Sequence, residues 1–247
     1  LDFIGIDVEC EVDTVVRSIQ DVGIGLFNGM SPRVHPQSLG RILAQIRFGS
    51  TLNIAASLAS PCRPTHGLRG VYSKELLPKV ARVMQEIGYQ RAMVVHGFDA
   101  SKEKGMDELS NIGESVIHEF HPDGTENTFS LAPEDVGLKR STYSAIAATG
   151  DVKKEAVRFL SVLGGSGTSA CTDLTCLNAG AIFYLVGKTE TIQEGVKASR
   201  DIIESGQALT KLSDWVSVQA DHAGKGIHRY LDVASAAGLR TQVMDRM

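Results

Sequence analysis

The 247-residue chain is long enough for one α/β domain, or for such a domain with a small appendage. Its 43% hydrophobic and 22% charged residues, with a net charge of −4, predict a soluble globular protein, because no apolar run approaches the ~20 residues that cross a bilayer. The four cysteines are scattered without a C-x-x-C pair, which argues against a disulfide scaffold and indicates a cytoplasmic protein.

The first quarter of the chain alternates helical and apolar segments. Asp13 is a candidate N-cap for a helix that ends at Gly23, and the run IGLFN that follows predicts a short strand. A second helix is expected to open at His35-Pro36 because apolar residues then recur at helical spacing. The next stretch, TLNIAASLASPCRP, is expected to be irregular.

The middle of the chain predicts a sheet, and the end predicts helices. A helix over 74–87, stopped by Gly88, precedes the buried strand RAMVV. Alternating residues around an Asp123-Gly124 turn predict a hairpin, and the chain from Asp151 onward is mostly helical. These elements predict an α/β fold with a mixed, mostly parallel sheet flanked by helices and a helical C-terminal part.

Positive charge is concentrated in one part of the chain. Residues 22–74 contain no Asp or Glu and six basic residues, namely Arg33, Arg41, Arg47, Arg63, Arg69 and Lys74. Such a stretch suits an anionic partner, which could be a phosphorylated small molecule, a carboxylate substrate or a nucleic acid backbone. The alternative is that these side chains pair with acidic residues elsewhere in the fold.

Several common catalytic motifs are missing from the sequence. LGGSGTSACTD resembles a glycine-rich phosphate loop, but it follows a helix and satisfies no phosphate-loop pattern, so we interpret it as a connection between helices with Asp173 as a candidate N-cap. The sequence has no H-E-x-x-H, no zinc-type Cys or His spacing and no G-x-S-x-G. A zinc hydrolase is therefore not expected, and no catalytic residue is assigned.

The adjacent carboxylates of Asp107 and Glu108 follow the strand within the stretch VVHGFDASKEKGMDELS. Neighbouring residues on a helix point about 100° apart, so both could serve one site only from a loop or from the first turn of an element. Such a loop could hold Mg²⁺, which binds through one or two carboxylates together with substrate phosphates. Spacing alone favours the alternative, a solvated acidic loop.

An ordered series of segments resembles the C-terminal α/β domain of the anthranilate phosphoribosyltransferase family. TLNIAASLASP, RGVYSKELL, RAMVVHG, GMDELS, LAPEDVGL and LNAGAIFYLVGK occur in the order of the family, and EGVKASRDIIESGQALTKL closes the match. The resemblance covers about 1–215, and the remaining 216–247 are expected to form a helical extension. The family's N-terminal helical domain and glycine-rich loop would precede Leu1 and are expected to lie outside this chain.

The resemblance implies transfer of a phosphoribosyl group from phosphoribosyl pyrophosphate to an aromatic amine, which in this family is anthranilate in tryptophan biosynthesis. It implies that Asp107 and Glu108 bind Mg²⁺ at the diphosphate. It also implies a homodimer and a fragment that is inactive alone. The overall acidity and the Asp-Glu pair argue against a nucleic acid partner, and the lack of a long apolar run argues against a membrane partner.

The acceptor site departs from the family pattern. The resemblance places His35 in the segment that matches the family's aromatic-His-Pro-Ala-Met. An ungapped alignment on Asn53 puts Gly49 where the family has the arginine that grips the anthranilate carboxylate, and Arg47 lies two residues earlier. These four residues are the candidate substrate contacts. The alternatives are a family member with a different acceptor, or a non-catalytic nucleic-acid-binding or regulatory relative. The segment FDASKEK also lengthens the loop before Asp107.

Overall fold

The computed structural model describes residues 1–29, 31, 33–34, 42, 45–46, 51–58, 60, 62–220 and 224–244. The chain divides into two compact units. We call them the helical unit, formed by Leu1–Pro61, Ala148–Gly167 and Ile203–Met247, and the sheet unit, formed by Cys62–Ala147 and Thr168–Ile202. In the described part of the chain, no helix has the length and apolar character needed to cross a membrane. The helix predicted to open at His35-Pro36 lies outside the described residues.

The described elements follow one another along the chain as predicted, with the strands in the middle and helices at the end. The helices are α1 (Val12–Val22), α2 (Thr51–Leu58), α3 (Leu77–Glu86), α4 (Tyr143–Ile146), α5 (Val152–Leu163), α6 (Ser169–Leu185), α7 (Ile192–Glu204), α8 (Gln207–Gln219), α9 (Lys225–Ala236) and α10 (Arg240–Met244). The strands are β1 (His66–Gly70), β2 (Arg91–Phe98), β3 (Gly105–Met106), β4 (Ser115–Phe120) and β5 (Glu126–Leu131). The helical C-terminal part is thereby confirmed, whereas the predicted boundary between 215 and 216 stays a prediction.

In the helical unit, α1 packs on α8, and α9 packs on α5 and on the N-terminal turn. The core contains Leu160, Leu209, Val216 and Tyr230, which are all fully buried. The Tyr230 hydroxyl lies 2.9 Å from the Ser213 hydroxyl, so its polar end is satisfied inside the core. This hydrogen bond ties α9 to α8.

Helix α1 begins and ends close to the predicted residues. Its N-cap is Glu11, so Asp13 is not the cap but lies in the first turn, where a negative charge is favoured by the helix dipole. The predicted end is confirmed, because Gly23 has a positive φ of 81° and its N–H donates to the Ile19 carbonyl.

Two predictions for the segments near α1 and α2 are wrong. Residues 24–28 do not form a strand. The Gln219 side chain instead accepts from the Leu26 N–H at 3.4 Å and donates to the Leu26 carbonyl at 3.4 Å, while the Ser18 hydroxyl donates to the Ile24 carbonyl. Side chains therefore replace a neighbouring strand as partners for this backbone. The segment from Thr51, predicted to be irregular, begins with helix α2.

The sheet unit contains a mixed sheet with the order β1-β2-β4-β5, and β3 also pairs with β2. Among the described strands, β1 and β2 are parallel and the other three pairings are antiparallel. The mixed sheet is confirmed, but within the described residues it is not mostly parallel. The physical reason is that β3, β4 and β5 follow β2 through short connections, which return the chain antiparallel, whereas the parallel pair requires the crossover through α3.

Helix α3 is amphipathic and covers part of the sheet. Its buried residues Leu77, Val80, Ala81 and Met84 lie on one face at helical spacing, and α3 packs on β2 and β4. The predicted helix before RAMVV and the predicted hairpin are both confirmed. In the hairpin, Gly124 has a φ of 81° between β4 and β5.

Helix α6 starts differently from the prediction. Thr168 is the N-cap, and its hydroxyl accepts from the Cys171 N–H at 3.4 Å. Asp173 instead lies within the helix and forms an ion pair with Arg200 of α7. The segment before α6 connects two helices, as predicted, because α5 ends at Leu163.

Gln219 supports a testable prediction for the helical unit. Its fully buried side chain also accepts from the Trp215 indole N–H at 2.8 Å, so Gln219→Ala leaves that buried N–H and the partly buried backbone groups of Leu26 without their partner. We expect the free energy of unfolding to fall by about 1–3 kcal/mol, measured by urea denaturation. The control is Gln207→Ala at the exposed start of the same helix, where a change within about 0.5 kcal/mol is expected. Equal losses in both variants would contradict this assignment.

Candidate functional site

The acidic pair lies at the carboxyl ends of the two parallel strands. Strand β3 pairs Met106 with Gly97 near the end of β2, and Asp107 and Glu108 follow directly. The backbone of the pair passes close to Gly70, the last residue of β1. In open α/β sheets, ligands bind beyond the carboxyl ends of the strands. The predicted metal ligands therefore occupy the usual position of a ligand site in this class of fold.

Glycines make this close approach possible. A Cβ atom at position 70 would lie 1.4 Å from the Asp107 carbonyl oxygen, and one at position 97 would lie 2.4 Å from the Glu108 carbonyl oxygen. These are contacts with backbone atoms, which cannot move aside as a flexible side chain can. A side chain at either position would displace the acidic pair from the strand ends.

The segment after the pair is fixed by Ser110. Its hydroxyl donates to the Phe98 carbonyl at 2.7 Å and accepts from the N–H groups of Ile112 and Gly113, each at 3.1 Å. Its own N–H donates to the Ser115 hydroxyl at 2.8 Å. These hydrogen bonds satisfy the backbone N–H groups of Ser110, Ile112 and Gly113 within the turn that leads from Glu108 into β4.

A side chain from α6 fixes the residue between the pair and Ser110. The Asn178 side chain accepts from the Leu109 N–H at 2.9 Å and donates to the Leu109 carbonyl at 3.0 Å. Leu109 is fully buried. The sequence prediction missed Asn178, although an asparagine inside the apolar run LNAGAIFYLV was a signal that its amide needed a specific partner.

The loop before the pair is closed on itself. The Asp99 N–H donates to the Lys104 carbonyl at 2.9 Å, and its carboxylate accepts from the N–H groups of Glu103 at 3.0 Å and Lys104 at 3.2 Å. Lys102 adopts a φ of 60°, the left-handed conformation that a tight turn requires. The FDASKEK segment is therefore a compact turn whose two ends meet at the pairing of β2 with β3.

Asp107 and Glu108 are both solvent-exposed residues, so a ligand can reach them, although neighbouring protein atoms partly enclose the Glu108 carboxyl. Partial burial by the surrounding protein, and secondly the negative charge of Asp107, raise the pKa of the Glu108 carboxyl. Repulsion between two adjacent carboxylates is the situation that a bound cation relieves.

Arg69, near the end of β1, is a basic residue that lies close enough to interact with the charge of Asp107. Burial lowers the pKa of its guanidinium, and the charge of Asp107 opposes that change. Its Nε is buried and has no hydrogen-bond partner among the described residues.

Another basic residue of the stretch 22–74, Arg33, pairs with an acidic residue, which is the alternative given for this stretch in the sequence analysis. Arg33 forms an ion pair with Glu11 at 3.3 Å.

The donor set fits Mg²⁺ shared with phosphate groups. Within the described ranges, no three Asp, Glu, His or Cys side chains come together as a metal cage. Two exposed carboxylates can supply part of an octahedral oxygen shell that water and phosphate oxygens complete. The chemistry of these residues therefore suits magnesium brought with a phosphorylated ligand and does not suit a structural zinc ion.

The structure does not describe the side chains of the other predicted site residues. His35, Arg47 and Gly49 lie outside the described residues. The backbone of Asn53 lies in α2 of the helical unit, and its side chain is outside the described part.

Comparison with known proteins decides the family. Residues 1–209 match the glycosyl transferase family, a/b domain. The chain belongs to this family. An anthranilate phosphoribosyltransferase from Desulfotalea psychrophila is 35% identical over 219 residues, which are 88% of this chain and 60% of the relative. One from Rubrobacter xylanophilus is 32% identical over 92% of this chain and 64% of its own length. These matches confirm the family predicted from the sequence.

Solved structures of the family share the fold. The anthranilate phosphoribosyltransferase of Thermus thermophilus has a TM-score of 0.75 and 31% identity, over 88% of this chain and 62% of that protein. The Saccharomyces cerevisiae enzyme in complex with PRPP and Mg has a TM-score of 0.74 at 24% identity, over 88% of this chain and 60% of that protein, and this likeness shows the fold alone. The chain thus spans less than two thirds of the length of these relatives.

The glycine at position 70 generates a prediction for this glycosyl transferase domain. Gly70→Ala places a Cβ against the Asp107 carbonyl, so we expect faster amide exchange over 105–110 and a lower free energy of unfolding. The control is Gly23→Ala, where a Cβ meets nothing within 4 Å and only the positive φ opposes the substitution, at about 1–2 kcal/mol. Unchanged exchange over 105–110 in Gly70→Ala would show that the close approach does not hold the pair.

The raised pKa of Glu108 predicts a pH dependence when divalent cations are removed by a chelator. The folded chain binds this proton more tightly than the unfolded chain, whose pKa is near 4.5, so stability falls as the pH rises from the unfolded pKa to the folded pKa. Glu108→Gln removes that loss. Between about pH 4 and about pH 7, we therefore expect the variant to gain stability relative to the wild type in urea denaturation.

Glu103→Gln is the control for this measurement, because it removes one carboxylate from an exposed position of the preceding loop. A relative gain of the same size in Glu103→Gln would mean that the total charge, and not the surroundings of Glu108, causes the effect.

Proposed function

We propose that the full-length protein transfers a phosphoribosyl group from phosphoribosyl pyrophosphate to an aromatic amine, with anthranilate as the first candidate, and that Mg²⁺ assists. The observation that carries this proposal is the exposed Asp107-Glu108 pair at the carboxyl ends of β1 and β2. The relatives support it, since those named above are anthranilate phosphoribosyltransferases and one structure contains PRPP and Mg.

The reaction is a displacement at the ribose C1. The bond from C1 to the diphosphate oxygen breaks, and its electron pair leaves with pyrophosphate. The amine nitrogen forms the new bond to C1 and releases one proton to solvent. Positive charge develops on the ribose ring while negative charge develops on the leaving group, so the protein must mainly orient two reactants and stabilise the separated charges.

The residues of the acidic pair have a simple role in this proposal. Asp107 and Glu108 would hold Mg²⁺, which supplies positive charge to the diphosphate when bound. A nearby cation would offset the two causes that raise the pKa of the Glu108 carboxyl, which are partial burial and secondly the negative charge of Asp107. The absence of a Cβ at Gly70 and Gly97 allows the backbone that carries both carboxylates to lie at the strand ends.

We also propose His35, Arg47, Gly49 and Asn53 as contacts to the acceptor substrate. An ungapped alignment on Asn53 places Gly49 at the position of the family's carboxylate-binding arginine, so an aromatic amine other than anthranilate is the second candidate acceptor. A cytoplasmic homodimer is part of the same proposal and follows from the family resemblance.

Calorimetry tests the metal assignment in the full-length protein. Asp107→Ala combined with Glu108→Ala is expected to weaken Mg²⁺-dependent binding of phosphoribosyl pyrophosphate by at least about tenfold, because even residues that only orient metal ligands contribute this much. The matched control is Glu134→Gln combined with Asp135→Asn, an adjacent acidic pair in the same unit that carries the same charge. Wild-type affinity in the Asp107 and Glu108 variant would refute the metal assignment.

Turnover with a panel of aromatic amines tests the reaction itself. Product formation with anthranilate is the expected result. Turnover with another amine and not with anthranilate would replace the proposed acceptor and leave the proposed reaction unchanged. If no amine reacts and the protein binds nucleic acid with an affinity that falls steeply as salt is added, the enzyme proposal is wrong.

A further inference from the structure

Asn178 holds the backbone of Leu109 as a neighbouring strand would. One side-chain amide accepts from the N–H and donates to the carbonyl of the same residue, at 2.9 and 3.0 Å. Its Nδ2 also donates to the Leu174 carbonyl of its own helix at 3.1 Å. This third hydrogen bond orients the amide plane, so Asn178 presents its donor and acceptor to Leu109 in a fixed geometry.

The backbone N–H and carbonyl of Leu109 depend on this contact for their hydrogen bonds. It is fully buried and lies directly after Glu108, where the chain has left β3 and has not yet entered β4. Asn178 thus provides a partner for both backbone polar groups of a buried residue that lies outside the strands. Without it, an N–H and a carbonyl would be left unsatisfied in an apolar environment, and the segment would shift to reach water.

The acidic pair is therefore fixed at both ends. On the N-terminal side, Met106 pairs with Gly97 in the β2-β3 ladder. On the C-terminal side, Leu109 is bonded to Asn178 of α6. Only Asp107 and Glu108 lie between these two fixed points, and their side chains are exposed. A rigid backbone that carries two exposed carboxylates is an arrangement suited to pre-organising ligands for a cation.

We propose that Asn178 is a positioning residue for the metal-binding carboxylates of Asp107 and Glu108. It touches neither substrate nor metal in this proposal, and it acts by fixing the backbone that carries both ligands. The inference rests on the proposed function, because it assumes that the pair binds Mg²⁺ together with phosphoribosyl pyrophosphate. It adds a residue from a helix 69 positions away along the chain.

The test uses two variants and a control from the same helix. Asn178→Ala removes both hydrogen bonds to Leu109. Asn178→Asp keeps the size and the acceptor but places an oxygen against the Leu109 carbonyl. The control is Tyr184→Phe, which removes a hydrogen bond of 3.0 Å to the buried Glu119 carboxylate and leaves the hydrogen bonds between Asn178 and Leu109 in place. Urea denaturation of all three variants ranks their general loss of stability.

Two measurements separate positioning from a merely structural role. In calorimetry with phosphoribosyl pyrophosphate, we expect both Asn178 variants of the full-length protein to need about 10 to 100 times more Mg²⁺ for half-maximal binding, whereas Tyr184→Phe keeps the wild-type requirement. In hydrogen exchange, we expect lost protection over 107–110 in the Asn178 variants and wild-type protection of these amides in Tyr184→Phe.

The outcomes are distinct for the two proposals. If wild-type protein shows no Mg²⁺-dependent binding of phosphoribosyl pyrophosphate, the proposed function fails. If the wild type binds and the Asn178 variants keep its Mg²⁺ requirement, only the positioning role fails. An equal shift in Tyr184→Phe would also overturn it, since the effect would then follow stability alone.

Discussion

The close passage of the acidic segment over two glycines is the constraint on which the candidate site depends. The backbone of Asp107 and Glu108 can reach the ends of β1 and β2 only because Gly70 and Gly97 have no Cβ. The parallel pairing of these two strands brings both glycines to the same edge of the sheet. The crossover through α3 is what makes that pairing parallel, so the position of the carboxylates follows from the topology of the sheet unit.

Around this constraint, the protein combines a rigid backbone with exposed charges. Hydrogen bonds from Ser110 and Asn178 satisfy the backbone after the pair, and the carboxylates themselves remain open to solvent. Partial burial, and secondly the negative charge of Asp107, raise the pKa of the Glu108 carboxyl, and a bound cation would offset both effects. The rigid backbone and the two nearby charges favour a ligand site at Asp107 and Glu108 over the alternative of a solvated acidic loop.

The sequence predicted those elements whose signal is local. The helix over 74–87 and the hairpin at Asp123-Gly124 follow from apolar spacing and turn chemistry within a few residues. The strand predicted for IGLFN was wrong because its backbone is satisfied by Gln219, 193 residues from Leu26. The same limit applies to the candidate site. The resemblance proposed Asp107 and Glu108 as metal ligands, but no local pattern links Leu109 to Asn178.

The self-contained turn before the acidic pair has a consequence for how such proteins can diverge. Asp99 closes the turn through its own backbone and carboxylate. The pairing of Gly97 with Met106 then fixes the backbone position directly before Asp107. The number of residues in the turn, which lies between Gly97 and Met106, therefore does not affect the position of the carboxylates that follow the ladder. Homologous chains could gain or lose residues in this turn, and so acquire new surface features beside the site, without altering its ligand geometry.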